Sequence, residues 1–552
     1  MRPLIVAACL LSTAAFAAEP QIDPARITGH VKVLASDDFE GRAPASRAEP
    51  KVIDYIVSQF KQLGLEPAGD RQGSGNVNGS RAWTQDVPLQ RSVFKAAPTV
   101  EALAAGKTLH WTQGEQVAIR APATGIARLA VRNAPVVFAG YGVTAPERNW
   151  DDFKGIDLKG KIALVLVNDP DFETGSGDFG GKAMTYYGRW TYKYEEAARR
   201  GAVGFLVIHE RDPVSYGWVT VKNSNTNEIF DVVRPNAAAA HAPLEGWIQR
   251  DSTVELLRAA GLDFEALKKQ AQTRDFRPVE LKGVSLSIAG DVLVEKVVSH
   301  NIAAVLPGSK HPDERIIYTA HWDHLGVGEP DAKGDRIYNG AVDNADGIAA
   351  LIEIARTFAA APRPERSVMF LAVTAEEKGL LGSEYYADQP LYPLATTVAN
   401  LNMDALAPTG PARDFGISGS APLTLLDQLI AVARQNGKSF TPDPRPEAGH
   451  FFRSDHFSFA KRGVPAISYG SGEDLVTGGK AAGAAREEAY TRDRYHQPSD
   501  EIGPDWDSTG IAADALLLYR LGADLASSQT WPEWKDGAEF KAERDKTRAQ
   551  RK

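Results

Sequence analysis

The stretch SVMFLAVTAEEKGLLGSE, residues 367–384, joins an unbroken apolar run to two adjacent acids, Glu376 and Glu377. The run has the length and β-branched content of a strand covered on both faces, and the polar residues after it form a loop. Neighbouring side chains in such a loop leave the backbone in different directions. One carboxylate can therefore bind a metal ion while the other takes a proton from water.

Two other segments have the same form. RIIYTA (315–320) leads into His321 of TAHWDH, and TTVANLN (396–402) leads to Asp404. Candidate ligands thus stand at or just past three strand ends, where open α/β sheets build their sites. Asp343 lies in NGAVDNADG, and the following NADGIAALIEIARTFAAA (344–361) repeats its apolar residues at helical spacing, so its loop feeds a helix N-terminus. The fifth candidate is His496 in RYHQPSDE. Two imidazoles and three carboxylates suit two divalent ions better than one, because a carboxylate can bridge metals while an imidazole serves a single ion. With Asp343 as the bridge, each ion receives one His, one private carboxylate and a shared one. A position stays open for water and substrate, which indicates catalysis rather than a structural clip.

The ordered set His321-x-Asp323, Asp343-Asn344, Glu376-Glu377, Asp404 and Tyr495-His496 resembles the co-catalytic zinc aminopeptidase family, which includes bacterial leucyl aminopeptidases and glutamate carboxypeptidase II. The resemblance implies a three-layer αβα sheet and two Zn2+ per chain. His321 and Asp404 would hold one ion, Glu377 and His496 the other, and Asp343 would bridge them. By the same likeness Glu376 is the general base, Asp323 orients the His321 imidazole, Tyr495 donates to the oxyanion, and the Asp343–Asn344 bond is cis. In FFRSDHFSFAKRGVPAISYG (451–470) it makes Arg453 a substrate-binding candidate, while Asp455 reads as the cap of the next helix. His324, His450 and His456 read as structural or surface residues, with His450 the best placed of them to line a pocket.

Length and the N-terminus frame this chemistry. A chain of 552 residues exceeds one hydrophobic core. Residues 1–17, MRPLIVAACLLSTAAFA, read as a secretory signal peptide cut after Ala17, which predicts a periplasmic or secreted protein. Cys9, the only cysteine, would leave with it, so stability must come from core and metal. No other stretch is apolar for long enough to span a bilayer. A net charge of −9 without a dense basic stripe argues against nucleic acid as a partner, and peptides are the expected substrates. The sequence assigns no oligomeric state.

The expected organisation is 18–125 as the N-terminal part of the peptidase domain, 126–290 as an insertion, 291–530 as the catalytic part and 531–552 as a charged tail, solvated from Lys541 to Lys552. Within the insertion, VVFAGYGV, LKGKIALVLVN and KYEEAARRGAVGFLVIH give strand, strand, helix and strand, which resembles a protease-associated domain. Its aromatic segment offers Tyr187 and Trp190 as a roof that contacts peptide. The reading is an aminopeptidase. Alternatives are a glutamate carboxypeptidase or dipeptidase, a single-zinc glutaminyl cyclase relative, and a non-catalytic receptor-like binding protein. Holding a free carboxylate takes a fork of cationic donors, for which Arg453 alone is thin.

Overall fold

The computed structural model describes residues 19–71 and 80–551; the signal-peptide reading, with Cys9, lies outside the described residues. Strand Arg366–Val373 buries all eight residues, Thr397–Met403 all seven, and His311–His321 everything from Arg315 onward. Strands covered on both faces must be apolar throughout, which is why these segments lack alternation. They run parallel, with His321 opposite Val373 and Thr319 opposite Asn402, so their carboxyl ends share one edge. Ala466–Ser471 continues the parallel set, and Val279–Leu306 and Asp414–Ile417 flank it antiparallel.

Adjacent strand residues point to opposite faces. Tyr318 donates to the Leu518 carbonyl of helix Thr509–Ala526 at 2.8 Å. On the other face, Thr319 donates to Asn402 Oδ1 at 2.7 Å, and Asn402 Nδ2 reaches Ser454 Oγ at 2.7 Å, just before helix His456–Lys461. Helices therefore cover both faces, and the three-layer αβα form expected for the catalytic part is the one adopted.

Strand Val279–Leu306 belongs to two sheets. Residues 292–302 pair with Thr84–Phe94 in the catalytic sheet, and 279–291 pair with Arg128–Phe138 in a second one. That second sheet continues through the parallel strands Ile162–Leu166, Gly204–His209 and Leu244–Gln249 and has its own apolar core, which includes Phe138, Leu164, Leu206 and Ile288. Its strands Thr99–Ala104, Lys107–Trp111 and Val117–Ile119 precede residue 126. The C-terminal segment departs from the expected solvated tail. Trp534 is buried and donates to the Gly463 carbonyl at 2.9 Å, while buried Arg544 donates to the Thr397 carbonyl at 2.9 Å. It seals the start of a central strand, whose carbonyls need donors. No helix among the described residues is long and apolar enough to cross a membrane.

His241 ties the two sheets. Its Nε2 lies 3.0 Å from Asp231 on Ile229–Val232, which pairs with the catalytic sheet, and its Nδ1 lies 2.9 Å from Glu245 on the second sheet. Burial opposes its charge, but Glu245 and Asp231 outweigh burial and raise the imidazole from 6.5 to about 10. A raised histidine stabilises the fold fully below its unfolded pKa and loses that contribution as pH climbs through the folded value. Thermal unfolding should therefore show a stability gap between wild type and His241→Gln that is largest below pH 6.5 and closes as pH approaches 10. A gap that widens with pH would mean that this imidazole is not held charged.

Candidate metal centre

Chain geometry at the shared strand edge delivers the site. His321 is the last residue of its strand, Asp404 follows Met403 directly, and Glu376 and Glu377 follow the turn after Val373. Ala375, Ala405 and His496 all hold positive φ, at 53°, 54° and 57°. Non-glycine residues occupy that region at a cost, and such positions cluster where side chains must be aimed. Asp343 sits in the irregular turn Ala341–Ala345, and the Asp343–Asn344 bond is cis.

Other residues fix this turn. Asp500 accepts the Val342 N–H at 3.2 Å and the Asp343 N–H at 3.1 Å. Asn344 donates to the Met403 carbonyl at 3.0 Å and accepts the Ala405 N–H at 3.2 Å, which locks the turn to the Asp404 loop. Arg42, from the far N-terminal segment, is buried and donates to the carbonyls of Trp322, Asn339 and Gly340 at 2.9, 2.6 and 2.8 Å. Its neighbour Gly41 has φ 65°, and a Cβ there would lie 2.5 Å from the Gly326 and Tyr338 carbonyl oxygens. Only glycine lets the chain pass that close.

Within the cluster, His321 Nε2 lies 3.0 Å from Asp404 Oδ1 and 3.3 Å from Asp343 Oδ1. The second oxygen of Asp343 lies 3.3 Å from His496 Nε2, which lies 3.3 Å from Glu377 Oε2. The edge of a tetrahedron built on zinc–ligand bonds of about 2.0–2.1 Å is about 3.3 Å, so these spacings are those of donors around a common cation. The structure thus brings together His321, Asp343, Glu377, Asp404 and His496.

A sixth candidate ligand joins them. His324, read from sequence as structural or surface, is fully buried with Nδ1 2.6 Å from Glu377 Oε1. The pair is not oriented as a hydrogen bond, and both His324 nitrogens and Glu377 Oε1 lack a hydrogen-bond partner. Buried polar atoms without partners fit ligands directed at a cation. Gly340, at φ 56°, makes room, since a Cβ there would come within 2.6 Å of the imidazole.

Asp323 does more than the sequence suggested. Its carboxylate accepts the Glu376 N–H at 3.1 Å and the Glu377 N–H at 3.4 Å, and it lies 3.8 Å from His321 Nδ1. The nearer partner of that nitrogen is the Asp323 carbonyl oxygen, at 3.1 Å. Burial pushes the Asp323 carboxyl up to about 7. Burial also pushes Glu376 well above the usual carboxylate range; His321 opposes this, and Asp404 and Glu377 add to it. Tyr495 is half exposed, stacks on His496 with centroids 3.9 Å apart, and its hydroxyl has no hydrogen bond among the described residues.

The remaining sequence candidates are placed elsewhere. Asp455 does not cap its helix; both its oxygens are buried without a hydrogen-bond partner, and its charge acts on Glu376. His456 is buried and driven down to about 3 by burial, while His450 pairs with Asp443 at 2.8 Å. Arg453 donates to Ser215 Oγ at 3.2 Å across the join between the two sheets. Trp190 packs on Tyr194 and Trp247 in the second sheet's own core, and Tyr187 donates to Glu147 at 2.8 Å. The aromatic that meets the catalytic layer is Tyr186, against Phe452 and Phe457.

Comparison with known proteins matches residues 301–519 to peptidase family M28. A "Probable zinc metalloprotease" of Pyrenophora tritici-repentis is 36% identical over 103 residues, 19% of this chain and 23% of that protein. "Aminopeptidase NAALADL1" of Mus musculus is 33% identical over 117 residues, 20% of this chain and 14% of that protein. Both matches therefore span less than a quarter of the relative's own length. The solved aminopeptidase from Aneurinibacillus sp. strain AM-1 aligns over 91% of this chain and 94% of its own at 19% identity, with a TM-score of 0.49.

Asp500→Ala strips two buried backbone N–H groups of their acceptor, which costs about 1–3 kcal/mol for each group left unpaired. Its unfolding temperature in chelator should fall clearly below that of the wild type. An unchanged midpoint would show that these amides do not depend on Asp500.

Proposed function

We propose, on the premise that residues 301–519 make this chain a member of peptidase family M28, that it is a dizinc aminopeptidase. His321 and Asp404 would hold one ion, Glu377 and His496 the other, with Asp343 between them. The observation that carries this reading is that Asp343 presents one oxygen to His321 and the other to His496, while Glu376 is left free of both groups. Zinc bound there supplies Lewis acidity and makes water easier to deprotonate.

The chain's own residues do the rest. Glu376, raised by burial, accepts a proton from the attacking water and returns it to the departing amine. The Asp323 carboxylate fixes the backbone of both glutamates, so Glu376 keeps its aim as its charge changes. Tyr495, with an unengaged hydroxyl, donates to the oxygen that gains charge as the carbonyl is attacked. Asp404 and Glu376 offer carboxylates for a free α-ammonium, which favours action at peptide N-termini. The mouse relative's name, an aminopeptidase, points the same way. Residues 1–17 would send the enzyme to the periplasm or outside the cell, and the insertion would be a protease-associated domain.

Three measurements test this. Glu376→Gln removes a base but no ligand, so kcat should fall by roughly 10²–10⁴ while metal analysis finds both ions in place; near-normal turnover would sink the assignment. Asp343→Ala should lose both equivalents of zinc on dialysis, and retention of two would remove Asp343 as the bridge. Unblocked dipeptides and aminoacyl amides should be cleaved and their N-acetyl forms refused, whereas cleavage of the blocked forms would exclude an aminopeptidase.

A further inference from the structure

His321, Asp343 and Asp404 each place one ligand atom within 4.8 Å of the others, and so do His324, Asp343 and Glu377. The second set uses a histidine outside the five expected ligands. His324 is fully buried, and neither of its nitrogens has a hydrogen-bond partner among the described residues. Glu377 Oε1, 2.6 Å from His324 Nδ1, has none either. Burying a polar group without a partner costs free energy, so an imidazole in this position calls for something to bind. The chain nevertheless fixes the residue there. The His324 N–H donates to the Arg42 carbonyl at 3.2 Å, and a Cβ on Gly340, at φ 56°, would come within 2.6 Å of the imidazole Cγ and Cδ2.

His496 approaches the same two carboxylates from the half-exposed side. Its Nε2 lies 3.3 Å from Asp343 Oδ2 and 3.3 Å from Glu377 Oε2. A zinc–nitrogen bond of about 2.0–2.1 Å sets an imidazole centroid about 3 Å from the ion, so two imidazoles on one ion stand about 5–6 Å apart. The His324 and His496 centroids are 5.8 Å apart, with their planes at 72°. Among the described residues the other side has one imidazole, that of His321, whose Nε2 meets Asp343 at 3.3 Å and Asp404 at 3.0 Å.

We infer that His324 is a metal ligand, the fourth protein donor to the ion held by Asp343, Glu377 and His496. The two sites are then unequal. Four protein donors make the closed set typical of structural zinc, whereas His321, Asp343 and Asp404 leave a fourth position open for water and a substrate carbonyl. The inference rests on the dizinc reading and divides the work within it: the ion on the His324 side is retained tightly, and the ion on the His321 side takes substrate.

The test reads metal binding rather than turnover. Zinc X-ray absorption counts imidazoles in the full-length wild-type protein without any substitution. Loaded with two equivalents, the protein should show three imidazoles shared by two ions, and a count of two would overturn the inference. Competition with a chelator of known affinity should resolve two unequal zinc sites. His324→Asn keeps an amide N–H where Nδ1 stands but gives up the nitrogen lone pair, so it separates ligation from a hydrogen bond to Glu377. In that variant the tighter site alone should weaken by more than about a hundredfold, beyond the cost of losing a hydrogen-bond partner of a ligand. A smaller loss, or an equal loss at both sites, would assign His324 to holding Glu377 in place and overturn the inference. Should the variant fail to fold, the imidazole count on the wild type decides alone. Retention of a single zinc would overturn the dizinc reading instead; two imidazoles on that ion, reduced to one by His324→Asn, would still uphold His324, and an unchanged count would overturn it.

Discussion

The structure is organised around crowded negative charge at one sheet edge. Asp323, Asp343, Asp346, Glu377, Asp455 and Asp500 have well-buried side chains there, with Glu376 and Asp404 half buried beside them. Against them stand three imidazoles and Arg42. Carboxylates at such density repel unless cations intervene, and in this structure some are pushed into their neutral range by burial, as Asp323 and Asp455 are at about 7. Under the dizinc proposal, divalent ions held by these groups would answer that constraint, since each neutralises two charges where a lysine would neutralise one.

The scaffold is built to hold that charge in place. Parallel strands bring their carboxyl ends to one level, and only there can residues from distant parts of the sequence meet at ligand spacing. Backbone in the left-handed region at Ala375, Ala405 and His496 is the local cost of aiming them. Arg42 and Asp500 then clamp the turn carrying Asp343 from opposite ends of the chain, one through carbonyls and one through N–H groups. The second sheet is joined to this scaffold by a single strand, Val279–Leu306, and by ion pairs such as His241 with Asp231 and Glu245.

Much of this was legible because it is local. Unbroken apolar runs ending in acids or histidine mark buried strands and their tips, and NADGIAALIEIARTFAAA carries a helical period that places Asp343 before a helix, as Asp346–Ala360 confirms. Asp455 misled for the same reason: a short polar residue before a helix looks like a cap, but here it is drawn inward toward the cluster. The C-terminal segment misled through its charges. Arg544 is buried because unpaired strand carbonyls accept its guanidinium, a demand that composition does not display.

By itself, then, the sequence determined the α/β class, the strand-end positions of His321, Glu377 and Asp404, and the chemistry that their residue types permit. Those features depend on periodicity and on side-chain identity, which are written within a few consecutive residues. Only the tertiary structure decided that His324 faces Glu377 and that Arg42 and Asp500 hold the Asp343 turn. These are meetings of side chains up to several hundred residues apart. Their geometry is set by how two sheets and their helices pack, and no local pattern encodes it.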